Sequence, residues 1–146
     1  MARFKQALAV IMAWYLSIWS NIFHHPTESY ALRVADLYKN EELRESIVIP
    51  WDKQLSKSYA RALMKRLYPQ WDRSEFKSLA KLWGKESAWN PEAKNPDSSA
   101  FGIPQLLNLH PSTPAPLQIE RGLVYIQHRY EKPSVAWAHW RNYGWY

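Results

Sequence analysis

The chain has no cysteine, which excludes both a disulfide framework and a thiolate metal site. That absence leaves the compartment open, because a domain of about 100 residues buries enough apolar surface to do without cross-links. Glycine is scarce, with four residues against ten prolines. A turn-dense β sandwich is therefore disfavoured, and helices separated by proline-marked breaks are expected. Gly-rich phosphate loops and a serine-nucleophile elbow are both missing. The five histidines, His24, His25, His110, His128 and His139, form no carboxylate-bracketed i, i+4 pair, so they read as structural and neither a metal nor a cofactor is expected. There is no internal repeat, low-complexity tract or heptad pattern. What remains is an all-α expectation for a chain of 146 residues, enough for one compact domain and a short appendage.

Aromatic residues are abundant, with nine Trp and nine Tyr, and they supply much of the expected core. The net charge of +6 is unevenly placed. Residues 1–50 and 86–146 are each balanced, with five basic and five acidic groups, while residues 51–85 carry nine basic groups against three acidic. The excess in Lys53 to Lys85 would attract a polyanion, whether nucleic acid, anionic lipid or an acidic wall polymer, and is equally the solvated face of helices.

Arg3 and Lys5 precede an uncharged run from Gln6 to Phe23 whose centre, Ala7 to Trp19, is almost wholly apolar. This is the pattern of an export signal, and its 18 residues also reach the short end of a membrane-spanning helix. Both a cleaved signal and a retained anchor fit; Ser29-Tyr30-Ala31 is the nearest small-x-small cleavage site. A buried helix of the domain is the bland alternative. We expect residues 1–31 to be signal or anchor, 32–50 a linker or short surface helix, and 51–146 the folded domain.

Within that domain Leu55, Tyr59, Leu63 and Leu67 form a helical stripe. Asp72 and Glu75 have capping-box spacing, and Phe76, Leu79, Ala80 and Trp83 follow at i, i+3, i+4 and i+7. That helix delivers Glu86 at its end. Asn90-Pro91, Asn95-Pro96 and Ser98-Ser99 then break regular structure. Ile119, Leu123, Ile126 and Tyr130 mark a further helix, and Val135 to Trp140 a last short one. Trp83 and Trp140 are assigned to the core, and the tail Tyr143 to Tyr146 is left between a docked tail and part of a cleft.

Glu86 stands three residues from both Trp83 and Trp89, so its carboxylate shares a helix face with an indole. A helix C-terminus disfavours negative charge, and apolar neighbours add a desolvation cost; both favour the protonated form. A carboxyl that keeps its proton near neutral pH can protonate a glycosidic oxygen. On spacing alone, though, a Glu at a helix end is usually a solvated surface residue.

The wider context is more specific. Glu86-Ser87-Ala88-Trp89-Asn90-Pro91-Glu92-Ala93, Asn95-Pro96 and Ser98-Ser99-Ala100-Phe101-Gly102-Ile103-Pro104-Gln105 together resemble the signature of the soluble lytic transglycosylase domain, a family with the goose-type lysozyme fold. In that family a Glu-Ser pair closing a helix is followed by an Ala-x-Gly-hydrophobic-x-Gln motif; Ile103-Pro104 replaces the commoner Leu-Met. Gln118-Ile119-Glu120-Arg121-Gly122-Leu123-Val124-Tyr125-Ile126 looks like the family's Gly-then-Tyr helix. The likeness covers Trp51 onward, about two-thirds of the chain.

The resemblance implies a lysozyme-like domain that cuts peptidoglycan glycan strands, exported to the periplasm, envelope or outside, and working as a monomer without nucleic acid or metal. Membrane contact would come only through the N-terminal segment. Carried over residue by residue, it makes Glu86 the catalytic acid and base. Ser87 would orient it, and Gln105 and Tyr125 would line the sugar cleft. Phe101, Trp89, Tyr125 and Trp137 could stack on sugar rings. One departure is clear: where the family has Ala-Tyr-Asn on its late helix, this chain reads Val135-Ala136-Trp137-Ala138-His139-Trp140, so if Trp137 takes the Tyr position the phenol's hydrogen bond to the acid is lost or replaced by the indole donor.

The implied mechanism uses one carboxyl. Glu86 protonates the oxygen between N-acetylmuramic acid and N-acetylglucosamine, the acetamido group steadies the developing cation, and ionised Glu86 takes the proton of the 6-hydroxyl as a 1,6-anhydro ring closes. Asp97 as a second carboxylate would point to hydrolysis instead, although a turn-forming loop Asp is its simpler reading. Three alternatives remain: a hydrolytic lysozyme of the same fold, a basic module for nucleic acid or another polyanion, and a non-catalytic wall-binding domain.

Overall fold

The computed structural model describes residues 27–44 and 50–146, which form six helices with two isolated β-bridges and no strand. In chain order these are α1 (Glu28–Lys39), α2 (Glu41–Arg44), α3 (Lys53–Leu67), α4 (Arg73–Glu86), α5 (Ala115–Tyr130) and α6 (Pro133–Tyr143). The all-α expectation holds over these residues. The apolar N-terminal run, with His24 and His25, lies outside them. None of the described helices is long and apolar enough to cross a membrane.

The linker expected at 32–50 is corrected in its first part. Helix α1 belongs to the same core as the rest, with Ala31, Val34 and Ala35 fully buried. Its stripe is Ala31, Val34, Ala35 and Tyr38, spaced i, i+3, i+4 and i+7. Three of those side chains are small or medium-sized and stand among charges, so the pattern is faint in sequence. The charges form the outer face and its edges: Lys65 bonds Glu28 at 2.9 Å and Lys39 bonds Glu120 of α5 at 2.9 Å. Tyr59 of α3 donates to the same Glu120 carboxylate. The shared Glu120 ties α1, α3 and α5 together. Ala31, in the small-x-small triplet, is thus a packed helical residue.

Helix α3 begins where Asp52 accepts from the Leu55 N–H at 2.7 Å, an N-cap that satisfies an otherwise orphaned donor. Leu55, Tyr59 and Leu63 are buried as the stripe requires, but Leu67 in the last turn is exposed, and Ala60 and Met64 complete the buried face instead. Trp51 packs edge-on against Tyr38 and Tyr59 and donates to Ser56 Oγ at 2.8 Å, which closes the gap between α1 and α3.

Helix α4 is the central element. Asp72 caps it, accepting from the N–H groups of Ser74 and Glu75 at 2.8 and 3.1 Å. Phe76, Leu79, Leu82 and Trp83 are buried along one face, each contributing about 1.5–3 kcal/mol by leaving water. Glu75 does not close the expected capping box with Asp72. Its carboxylate crosses to α6, where it accepts from the N–H and Oγ of Ser134 at 2.7 and 2.8 Å. The tertiary partner wins because Ser134 lies in the first turn of α6, whose orphan N–H groups need an acceptor and have no side-chain cap of their own. This bond sets the starts of α4 and α6 side by side, and Trp140 of α6 meets Glu86 at the end of α4, so the two helices run in the same direction.

Candidate active site

The end of α4 is a sharp reversal. After Glu86 and the C-cap Ser87, Ala88 and Trp89 take left-handed backbone conformations, φ 53° and 66°. For residues with a Cβ, and above all for a Trp, this costs about 1–2 kcal/mol each. The indole pins the turn: Trp89 is fully buried, stands edge-on to Trp83 at 5.2 Å, and donates from Nε1 to Ala80 O at 3.3 Å. Its backbone N–H reaches Trp83 O at 3.3 Å and Ser87 Oγ at 3.1 Å. Strain held in this way next to a carboxyl fits a residue whose orientation is being fixed.

The reversal lets the 93–106 loop fold back onto the end of α4. Gly102 N donates to Ala93 O at 2.8 Å, Asn95 N to Ala100 O at 3.1 Å, and Phe101 N to Leu106 O at 3.1 Å. Gly102 has φ 77°, and a Cβ there would lie 2.2 Å from Gln118 Oε1, so only glycine fits. Gln118 is buried and holds three strands of chain at once: Oε1 accepts from Ile103 N at 2.9 Å, and Nε2 donates to Pro91 O at 3.0 Å and Thr113 O at 2.9 Å. Ser87 Oγ then donates to Ile103 O at 2.7 Å, which joins the Glu-Ser pair to the Ala100-to-Gln105 motif. Gly122 on α5 supplies the remaining space: a Cβ there would lie 2.6 Å from Trp83 and 2.8 Å from Pro104.

The half-buried Glu86 carboxyl sits among rings. Burial pushes its pKa above the ordinary glutamate range, and the Trp140 indole, donating a hydrogen bond to the carboxylate, offsets part of that rise. On another side is Tyr146, close enough that the Glu86 charge helps to raise its phenol pKa, although desolvation of that phenol is the larger cause. The Tyr146 hydroxyl accepts from Trp83 Nε1 at 2.9 Å and donates to Pro104 O at 2.6 Å. Trp83, Pro104, Trp140 and Tyr146 thus bring α4, the loop, α6 and the tail around one carboxyl. Such a group keeps its proton to higher pH than an ordinary glutamate and can release it to a basic oxygen.

The other expected site residues fall into two sets. Ser87 lies beside Glu86, but its hydroxyl serves the loop. Tyr125 is partly buried, accepts from Arg129 Nη1 at 3.1 Å, and stands edge-on to Tyr146 at 5.6 Å, one ring removed from the carboxyl. Trp137 stacks on Trp140 at 5.4 Å and 12°. The indole donor to Glu86 is therefore Trp140, not Trp137, and Trp140 is only partly buried rather than a core residue.

Two stacking roles are corrected. Phe101 is buried, bridged to Lys94 and Leu106, and offers no open face to a sugar; Trp89 is equally enclosed. Gln105, with φ 50°, spends its amide N–H groups on Ala93 O and Gly102 O at 3.0 and 2.9 Å, closing the loop. Asp97 is exposed and lies in a turn whose side-chain acceptor is Asn95, since the Asp97 N–H donates to Asn95 Oδ1 at 2.8 Å. Trp140 and Tyr146 are the groups whose contact with Glu86 the sequence did not show, because both depend on how α6 and the tail pack against α4. A cavity of about 430 Å³, lined by Arg61, Lys65, Trp71, Asp72, Arg73 and Phe76, lies at the opposite end of α4, about 20 Å away along the helix.

Among the described residues no cluster of three or more His, Asp or Glu could hold a metal ion. No family model matches the chain, and neither the curated proteins nor the solved structures yield a match.

Proposed function

We propose that the chain is a lysozyme-like lytic transglycosylase that cuts the bond between N-acetylmuramic acid and N-acetylglucosamine in peptidoglycan, with Glu86 as its acid and base. One observation carries the reading: a lone, partly desolvated glutamate at a strained helix end is braced by the very loop, Ala100 to Gln105, whose motif accompanies such a glutamate in the soluble lytic transglycosylases. The raised pKa supports the first step, donation of the Glu86 proton to the glycosidic oxygen. The departing sugar takes that proton as the C–O bond breaks, and the substrate's acetamido oxygen shields the cationic carbon. Ionised Glu86, steadied by the Trp140 indole, then accepts the 6-hydroxyl proton while that oxygen closes the 1,6-anhydro ring.

Digestion of purified sacculi followed by product masses tests the proposal. The expected products carry no added water, and Glu86→Gln, still folded, releases none. Products one water heavier would replace the transglycosylase by a hydrolytic lysozyme. Full release by Glu86→Gln would end the reading of Glu86 as the acid and base, and no release by the parent chain would end the glycan-cutting reading.

A further inference from the structure

Two large side chains at the Glu86 end of the molecule are left in the open. Tyr143 is 65% and Trp145 50% exposed, yet neither is loose. Gly144, with φ 77°, caps α6 and donates to Trp140 O at 2.7 Å, turning the chain back so that Trp145 O bonds His139 Nδ1 at 2.8 Å. The His139 ring then lies 4.6 Å from Tyr143 and 4.4 Å from Trp145, and the Arg129 guanidinium sits 5.3 Å from the Trp145 ring. Nothing within 4 Å would meet a Cβ on Gly144, so glycine is there for its backbone, which sets the ring positions. Exposed aromatics held this firmly belong to a recognition surface more than to a core.

The cluster is continuous with the carboxyl. His139 packs on Tyr130 at 5.4 Å, Tyr130 on Tyr146 at 6.1 Å, and Tyr146 bonds Trp83 beside Glu86. Helices α4 and α6 start side by side at the Glu75–Ser134 bond and meet again where Trp140 reaches Glu86, so Tyr143, three residues after Trp140, lies near the end of α4. Charge also selects among occupants. The basic excess of the chain lies in residues 51–85, whereas residues 86–146, which contain this cluster and its Arg129, carry no net charge, so a polyanion or anionic lipid surface is drawn more to the former stretch than to this cluster.

We propose that Tyr143 and Trp145 form an outer sugar-binding platform, which stacks on the apolar faces of uncharged N-acetylated pyranoses further along the strand cut at Glu86. Tyr143 and Trp145 supply ring faces, and the polar edges of His139 and Arg129 stand beside them for hydroxyl and acetamido groups. This rests on the glycan-cutting reading of Glu86, but its ligand can be tested apart from cutting.

The experiment titrates the full chain carrying Glu86→Gln with a soluble N-acetylglucosamine hexamer, by calorimetry and tryptophan fluorescence. Adding Tyr143→Ala and Trp145→Ala is expected to weaken binding about ten-fold or more, as truncation of exposed anchor rings does, with a circular dichroism spectrum unchanged. Tyr143→Phe with Trp145→Phe should restore most of the affinity. Equal affinity with and without the rings would overturn the platform while leaving the role of Glu86 untouched. Vesicles of anionic phospholipid that bind in a Trp145-dependent manner, with no binding of the hexamer, would overturn it in favour of a membrane contact. If Glu86→Gln still cut sacculi, the catalytic reading would fall, and ring-dependent hexamer binding would still uphold the platform.

Discussion

Helix α4 carries two glutamates eleven residues apart that meet opposite fates. Glu75, in the first turn, is the more deeply buried, at 8% exposure; both its oxygens are taken by Ser134, and it lies at the end of the helix dipole that welcomes negative charge. Glu86, in the last turn, is less buried but sits at the unwelcoming end, with one indole donor and a pKa raised by desolvation. Burial alone therefore does not make a carboxyl reactive. The decisive difference is whether the fold supplies donors for the charge, and at Glu86 it supplies few.

Exchanging each for glutamine should separate activity from stability. Glu86→Gln is expected to lower glycan release by about 10²–10⁴-fold, measured as soluble muropeptides from sacculi. Its melting temperature should stay level or rise at neutral pH. The sign follows from linkage: the folded-state pKa stands above the ordinary glutamate range, so stability from this group is fully present below the unfolded pKa and is lost as pH rises through the folded one. The neutral amide escapes that loss. A clear destabilisation with activity retained would invert the assignment of the two ends. Glu75→Gln should do the reverse, costing about 1–3 kcal/mol in urea unfolding because one donor of Ser134 is left without its charged acceptor, while the site keeps its chemistry.

Much of this contrast was already visible in the sequence. The spacing of Phe76, Leu79 and Trp83, the Asp72 cap and the proline-broken loop all act within one turn or one loop, and period and capping read such features directly. The burial of helix α1 is not legible in the sequence, which offers a linker or a short surface helix there, because its buried stripe is built on Ala31, Val34 and Ala35, side chains too small to stand out among Arg33, Asp36 and Lys39. Phe101 differs for another reason. A loop aromatic reads as free to stack on a ligand, but the loop folds onto itself through the Lys94 and Leu106 bridges and encloses it. The neighbours of Glu86 were illegible in principle: Trp140 lies 54 positions and Tyr146 60 positions downstream, and only the parallel docking of α6 on α4 brings them in.

The Glu86 end also depends on a packing detail with no counterpart at the Glu75 end. Gly122 admits Trp83 and Pro104 where a methyl group would lie 2.6 and 2.8 Å from them. Gly122→Ala should gain up to about 1 kcal/mol in helix propensity, yet lose about 1–3 kcal/mol to overpacking, for a net loss in urea unfolding. Activity should fall further than stability does, since the displaced atoms are the ones that fix Tyr146 and the loop against the carboxyl. A variant more stable than the parent would show that the Trp83–Pro104 contact yields easily and that the site is held from elsewhere.

The smallest expected effect is the most diagnostic. Trp140→Phe keeps an aromatic ring against Glu86 and removes only the N–H that favours the ionised carboxyl, so the Glu86 pKa should rise still further. In the proposed mechanism the first step needs Glu86 protonated, and the fall of kcat/KM on the alkaline side would report that proton in the free protein. That limb should therefore move to higher pH in Trp140→Phe, while an unaltered limb with a uniformly lower rate would make the indole a packing group and nothing more. Trp137→Phe, which leaves the donor in place and changes only the ring stacked on it, should not move the limb. The pair decides whether a nitrogen on α6 tunes the acid at the end of α4, or whether desolvation alone sets it.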